Sequence, residues 1–136
     1  MSLPAETPPV LGTRHVALRF VDLEAAERFF VELLGYSVEW RPDPANVYLV
    51  RRQDSVALHR TAPRAPAASA QPEGLLDHVG LLVPSAADVD RWAAWLDERG
   101  ARLLARPRTH RDGARSLYLA GPEGLVVQIL HHPAIG

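Results

Sequence analysis

Six histidines and no cysteine stand in this chain of 136 residues, so imidazole is its main group for binding metals and moving protons near neutral pH. The missing cysteines exclude disulfides, thiolate zinc sites and thiol nucleophiles. His15, His59 and His78, together with Gln128, fall at alternating positions within apolar, strand-like runs, so each run turns its polar member away from its hydrophobic face. Neutral imidazole ligates Zn, Fe, Ni and Mn, and a site with open positions admits a substrate. The bland alternative is that these side chains only donate hydrogen bonds within a metal-free pocket, and both readings stay open on the residues alone.

The elements that must position them follow from periodicity. Arg14 to Val21 alternates as a strand with Val16, Leu18 and Phe20 on one face and His15, Ala17 and Arg19 on the other. Asp22 caps a helix whose stripe is Leu23, Ala26, Phe30, Leu33 and Leu34, and Gly35 ends it. Tyr36 to Trp40, Val47 to Arg51 and Ser55 to His59 read as three further strands. Residues 62–73, rich in proline, alanine and serine, read as a linker. The order then begins again. Asp77 to Val83 is a strand, and Ser85 caps a helix with the stripe Val89, Trp92, Ala93 and Leu96. Ala101 to Ala105, Ser116 to Ala120 and Leu125 to Leu130 complete the set. The shared His-Val-x-Leu at His15 and His78, the matched helices and the linker point to a duplicated βαβββ unit. The expected organisation is a tail at 1–12, modules at 13–61 and 74–133, and one structural domain.

Those residues carry a likeness. Arg14-His15-Val16-Ala17-Leu18, the 22–36 helix ending in Leu33-Leu34-Gly35-Tyr36, Leu76-Asp77-His78-Val79, and the turn and last strand of Tyr118 to Leu130 resemble the vicinal oxygen chelate superfamily. That superfamily holds glyoxalases, extradiol dioxygenases, fosfomycin-resistance enzymes and bleomycin-resistance proteins. The resemblance implies an α+β fold in which two βαβββ modules form one curved mixed sheet around a trough, with helices outside. It implies divalent-metal ligands on the first and last strand of each module: His15, His78 and, where the family usually has Glu, Gln128. The remaining ligand position falls on Ala57, which cannot bind a metal, with His59 two residues on. The expected cofactor is a divalent metal, Fe, Mn, Ni or Zn, weakened by the neutral Gln128.

Two functions are consistent with this reading. One is an enzyme that binds adjacent oxygens of a small substrate and acts on an enediolate-type intermediate or in ring cleavage, with His59 as the catalytic base. The other is a metal-free protein that sequesters a planar, drug-like ligand. Arg19 on the His15 face, and His110 and Arg115 around the polar 109–115 loop, are the candidate substrate-binding residues. Trp95, off the helix stripe, is a candidate subunit contact. A net charge of -1 without a basic stripe argues against nucleic acid, and no apolar run reaches the length of a membrane span. A cytoplasmic homodimer is the expected state, because open sheet edges invite pairing.

Overall fold

In the computed structural model, residues 7–63 and 75–133 are described, so most of the linker lies outside the described residues. The first unit runs β1 (His15–Phe20), α1 (Leu23–Arg28), β2 (Ser37–Asp43), β3 (Asn46–Arg51) and β4 (Asp54–Arg60). The second runs β5 (Val79–Leu82), α2 (Ala86–Glu98), β6 (Leu103–Thr109), β7 (Arg115–Ala120) and β8 (Val126–His131). Each unit folds into a four-stranded mixed sheet, ordered β1-β4-β3-β2 and β5-β8-β7-β6. In both, the first strand pairs parallel with the last while the remaining pairs are antiparallel. The fold is α+β, and the repeated strand order is the duplication expected from the sequence.

Both helices begin as their sequences require. The Asp22 carboxylate accepts from the Ala25 amide at 3.0 Å, and the Ser85 hydroxyl oxygen accepts from the Asp88 amide at 3.2 Å. The first helix is longer than its α-helical part, because a π-helical turn at Phe29–Leu33 carries the chain on to Gly35. Gly35 sits at φ +81°, and a Cβ there would lie 2.1 Å from the Arg51 guanidinium, which donates to the Leu34 carbonyl. The left-handed backbone favours glycine at that position, whereas the Arg51 guanidinium, at the end of a flexible side chain, could shift.

Alternate strand residues pack under the helices. Leu18, Phe20, Val47, Leu49, Val56 and Leu58 from the first sheet, and Leu117, Leu119, Val127 and Ile129 from the second, share one buried cluster with Leu23, Ala26, Phe30, Val89, Ala93 and Leu96 of the helices. The two sheets are tied together on this helix side. The Glu123 carboxylate, in the turn before β8, accepts from the amides of Val21 and Asp22, both at 2.8 Å. Trp95, the proposed subunit contact, donates its indole N–H to the Leu33 carbonyl at 3.0 Å and so joins α2 to the end of α1 within the chain. Among the described residues no helix is long and apolar enough to cross a membrane.

Candidate functional site on the open sheet faces

Strand parity leaves one face of each sheet without a helix, and the two faces repeat each other. In the first sheet the cross-strand row is Ala17, Ala57, Tyr48 and Trp40. In the second it is Gly80, Gln128, Tyr118 and Ala105. Gln128 therefore occupies the position of Ala57. His15 and His78 each lie two residues before the small residue that starts the row. Tyr48 and Tyr118 are counterparts too, which the sequence reading missed. The signal was present as Val47-Tyr48-Leu49-Val50 and Leu117-Tyr118-Leu119-Ala120 in the third strand of each unit.

On the second sheet, His78 and Gln128 meet through Tyr118. The His78 ring stands edge-on to Tyr118, with centroids 5.4 Å apart, and the Tyr118 hydroxyl accepts from the Gln128 amide at 3.1 Å. His78 Nδ1 is 2.7 Å from the Asp77 carboxylate, an acceptor that fixes the proton on Nδ1 and leaves Nε2 free of that contact. On the first sheet, His15 Nδ1 is 2.9 Å from the Ser55 hydroxyl. Among the described residues, His15 bonds to Ser55 of the first sheet, and His78 meets Asp77 and Tyr118 on the side of the second. As donors the three residues suit a divalent metal: each commits one nitrogen to a protein partner and retains a further nitrogen or oxygen, Oε1 in the case of Gln128. Among the described residues no three His, Cys, Asp or Glu side chains cluster as a metal would require.

His59 is oriented by a chain of polar side chains that begins on the β2–β3 turn. Its Nδ1 lies 2.6 Å from Oδ1 of Asn46, its neighbour across the β3–β4 ladder. Asn46 in turn donates from Nδ2 to both Asp43 carboxylate oxygens, at 2.9 and 3.0 Å. A carboxylate only accepts, so the amide must present its nitrogen to Asp43 and its oxygen to His59. Nδ1 therefore carries a proton, and in the neutral imidazole the lone pair is on Nε2. The Asn46 side chain, followed by the Ala45 amide, holds the Asp43 carboxyl below the usual aspartate range. Beside His59, Tyr48 stacks on Trp40 with centroids 5.3 Å apart and 20° between planes, and the His59 ring meets Tyr48 edge-on at 6.1 Å.

The proposed substrate-binding residues divide. Arg19 lies on the open face directly across the β1–β4 ladder from His59, exposed and without a hydrogen bond or ion pair among the described residues. His110 lies at the margin of the second open face, with Nε2 2.9 Å from the Ser116 hydroxyl and Nδ1 3.0 Å from Arg108. Arg115 does not reach that face. It shares the parity of Leu117 and Leu119, turns to the helix layer and binds Asp90 of α2 through two nitrogens at 3.0 and 2.7 Å. Two clefts open elsewhere. One lies between α1 and the β2–β3 turn, lined by Glu24, Glu27, Arg41 and Asp43, and the other between the units, lined by Phe29, Leu33, Arg99 and Pro122.

Comparison with known proteins agrees with this architecture. A curated relative from Actinomyces sp, described as 2-epi-5-epi-valiolone epimerase, is 29% identical over 93% of this chain and 82% of its own length. Two crystal structures share the fold. A lactoylglutathione lyase from Agrobacterium tumefaciens has a TM-score of 0.74 at 21% identity, covering 95% of this chain and 99% of that one. A glyoxalase/bleomycin resistance protein/dioxygenase from Nocardioides has a TM-score of 0.73 at 24% identity, covering 96% and 89%. The family model for the Glyoxalase/Bleomycin resistance protein/Dioxygenase superfamily matches residues 12–129, and the chain belongs to that superfamily.

Proposed function

We propose that this protein is a small-molecule enzyme of the superfamily, working on an oxygen-rich substrate held against the open sheet faces, with His59 as the general base. The observation that carries the reading is the Asp43–Asn46–His59 chain, which in the neutral ring directs the lone pair to Nε2, one strand from Arg19, a cation with no ion pair among the described residues. A base that takes a proton from carbon beside a carbonyl needs its lone pair fixed in direction and its other nitrogen held by an acceptor. His59 has both. The likeness to an epimerase supports chemistry of this kind on a small molecule.

His15, His78 and Gln128 are the residues that would hold a divalent metal, with the Asp77 carboxylate and the Ser55 hydroxyl orienting the two rings. Such an ion supplies Lewis-acid polarisation of substrate oxygens when bound. Free strand edges at β1, β2, β5 and β6 fit pairing with a second copy of the chain.

Metal content separates this from the second reading, a metal-free binding protein, which the neutral Gln128 and the Trp40–Tyr48 stack favour. Protein from rich medium, reloaded in turn with Fe, Mn, Ni and Zn, is expected to hold stoichiometric metal that is lost in His15→Ala and His78→Ala. No metal under any loading leaves the binding protein as the correct reading.

A further inference from the structure

We infer that the open face of the first sheet binds a planar ring acid that also carries a free hydroxyl, with the carboxylate at Arg19, the hydroxyl at His59 and the ring against Tyr48 and Trp40. The inference shares with the function proposed above only the premise that the open face is the ligand side; it needs neither the metal nor a reaction.

Three independent features define the ligand. The first is polarity at His59. Because Asp43 can only accept, Asn46 must offer its oxygen to Nδ1, and the neutral imidazole presents an acceptor at Nε2. A ligand group meeting that atom has to be a donor, such as a hydroxyl. The second is charge. Arg19 is on the same face one strand away, about 5 Å between backbones, and no acid neutralises it among the described residues. The group that meets a guanidinium best is a carboxylate, which it grips through two nitrogens. Donor and anion must therefore sit apart on one edge of the ligand, not as an internally bonded neighbouring pair.

The third is shape. Next to the Arg19–His59 pair runs the row Ala17, Ala57, Tyr48, Trp40. The row begins with two alanines in register, exposed at Ala17 and covered at Ala57, which is 1% exposed although it faces away from the helices, so the open floor lies on the Ala17 side. Two stacked rings rise beside that floor, with Trp40 59% exposed on the edge strand. A flat ring covers such a step best, whereas a bulky saturated one does not. The second sheet has no equivalent, because its row carries Gly80, Gln128 and Ala105 where the first has Ala17, Ala57 and Trp40.

The test uses the full chain in EDTA and three probes: 3-hydroxybenzoate, benzoate and phenol, titrated by NMR. The expected order is 3-hydroxybenzoate at least tenfold tighter than either of the others. Arg19→Gln should weaken both acids at least tenfold and leave phenol unchanged. Asn46→Ala should bring 3-hydroxybenzoate down to the level of benzoate. Nitrogen-15 spectra should show His59 protonated on Nδ1 in the parent and mixed between both nitrogens in Asn46→Ala, a change that a purely structural role for Asn46 would not produce. Equal affinity for the three probes, no binding of any, or a parent His59 protonated on Nε2 overturns the inference. None of these outcomes touches the metal measurement, so the two ideas fail separately.

Discussion

Tyr118 stands edge-on to His78 at 88°, and its hydroxyl is the partner of the Gln128 amide. This pairing makes residue 128 testable. The Tyr118 hydroxyl can act as donor as readily as acceptor, so a carboxylate at 128 keeps the contact with the hydroxyl reversed. Gln128→Glu should therefore fold normally and tighten divalent-metal binding at least tenfold, because it replaces a neutral oxygen with an anionic one. Calorimetric titration with Zn or Ni reads this directly. Unchanged affinity means residue 128 does not touch the metal.

Glu123 fastens the second unit to the first through two backbone amides, those of Val21 and Asp22. The carboxylate has an oxygen for each amide, whereas glutamine offers one. Stability should fall in order, with Glu123→Gln losing part of the contribution and Glu123→Ala all of it. The expected loss for alanine is about 1 kcal/mol, below the usual range for hydrogen bonds to a charged group because both contacts are exposed. Denaturant midpoints of the three proteins give the ranking. An alanine variant as stable as the parent would show that the helix-side core alone holds the units together.

Tyr36 is buried and donates its hydroxyl to Asp54. Burial, followed by that bond to a carboxylate, pushes its ionisation well above the ordinary tyrosine value of 10.0. In the unfolded chain the phenol ionises normally, so at alkaline pH the native state holds a proton that the unfolded state has released. Stability is then full below the unfolded value and falls as pH rises past about 10. Ultraviolet difference titration should show the Tyr36 phenol still protonated in the native protein at a pH where an ordinary tyrosine ionises. Tyr36→Phe should cost about 1–2 kcal/mol at neutral pH, since Asp54 loses a donor, and should remove this residue's share of the alkaline decline.

The duplication and the facing of the first and last strand of each unit were legible because burial imposes a two-residue rhythm: Val127 and Ile129 are buried while Gln128 between them is not. Both helix starts were legible for an equally local reason, the capping oxygens of Asp22 and Ser85. What adjacent residues could not reveal was which polar groups meet across strands. Asn46 reads as a turn residue after Asp43-Pro44-Ala45, and only the β3–β4 register sets it opposite His59. Trp40 and Tyr48 lie on separate strands, with a register shift on each side of their pair, so no single periodicity marks them as one stacked unit. Arg115 reads as part of a polar loop, whereas in the structure it is the first residue of β7, shares the parity of Leu117 and bonds to Asp90.

That difference separates the roles of the two arginines. Arg115 is held by Asp90, whose carboxyl it keeps below the usual aspartate range, first through their hydrogen bond and then through its charge. A lowered native value means the pair contributes above the ordinary aspartate value of 3.8 and loses that contribution as pH falls through the native one. Arg115→Gln should therefore lower the denaturant midpoint at pH 7, by less than a core truncation would because the pair is exposed, and the gap from the parent should narrow as pH falls below the ordinary aspartate value and Asp90 takes up its proton in the native state too. Binding of 3-hydroxybenzoate should be unaffected in Arg115→Gln and weakened in Arg19→Gln. If instead Arg115→Gln weakened the probe while stability stayed constant across that range, the guanidinium would have to act on the open face, and the parity assigned to β7 would be wrong.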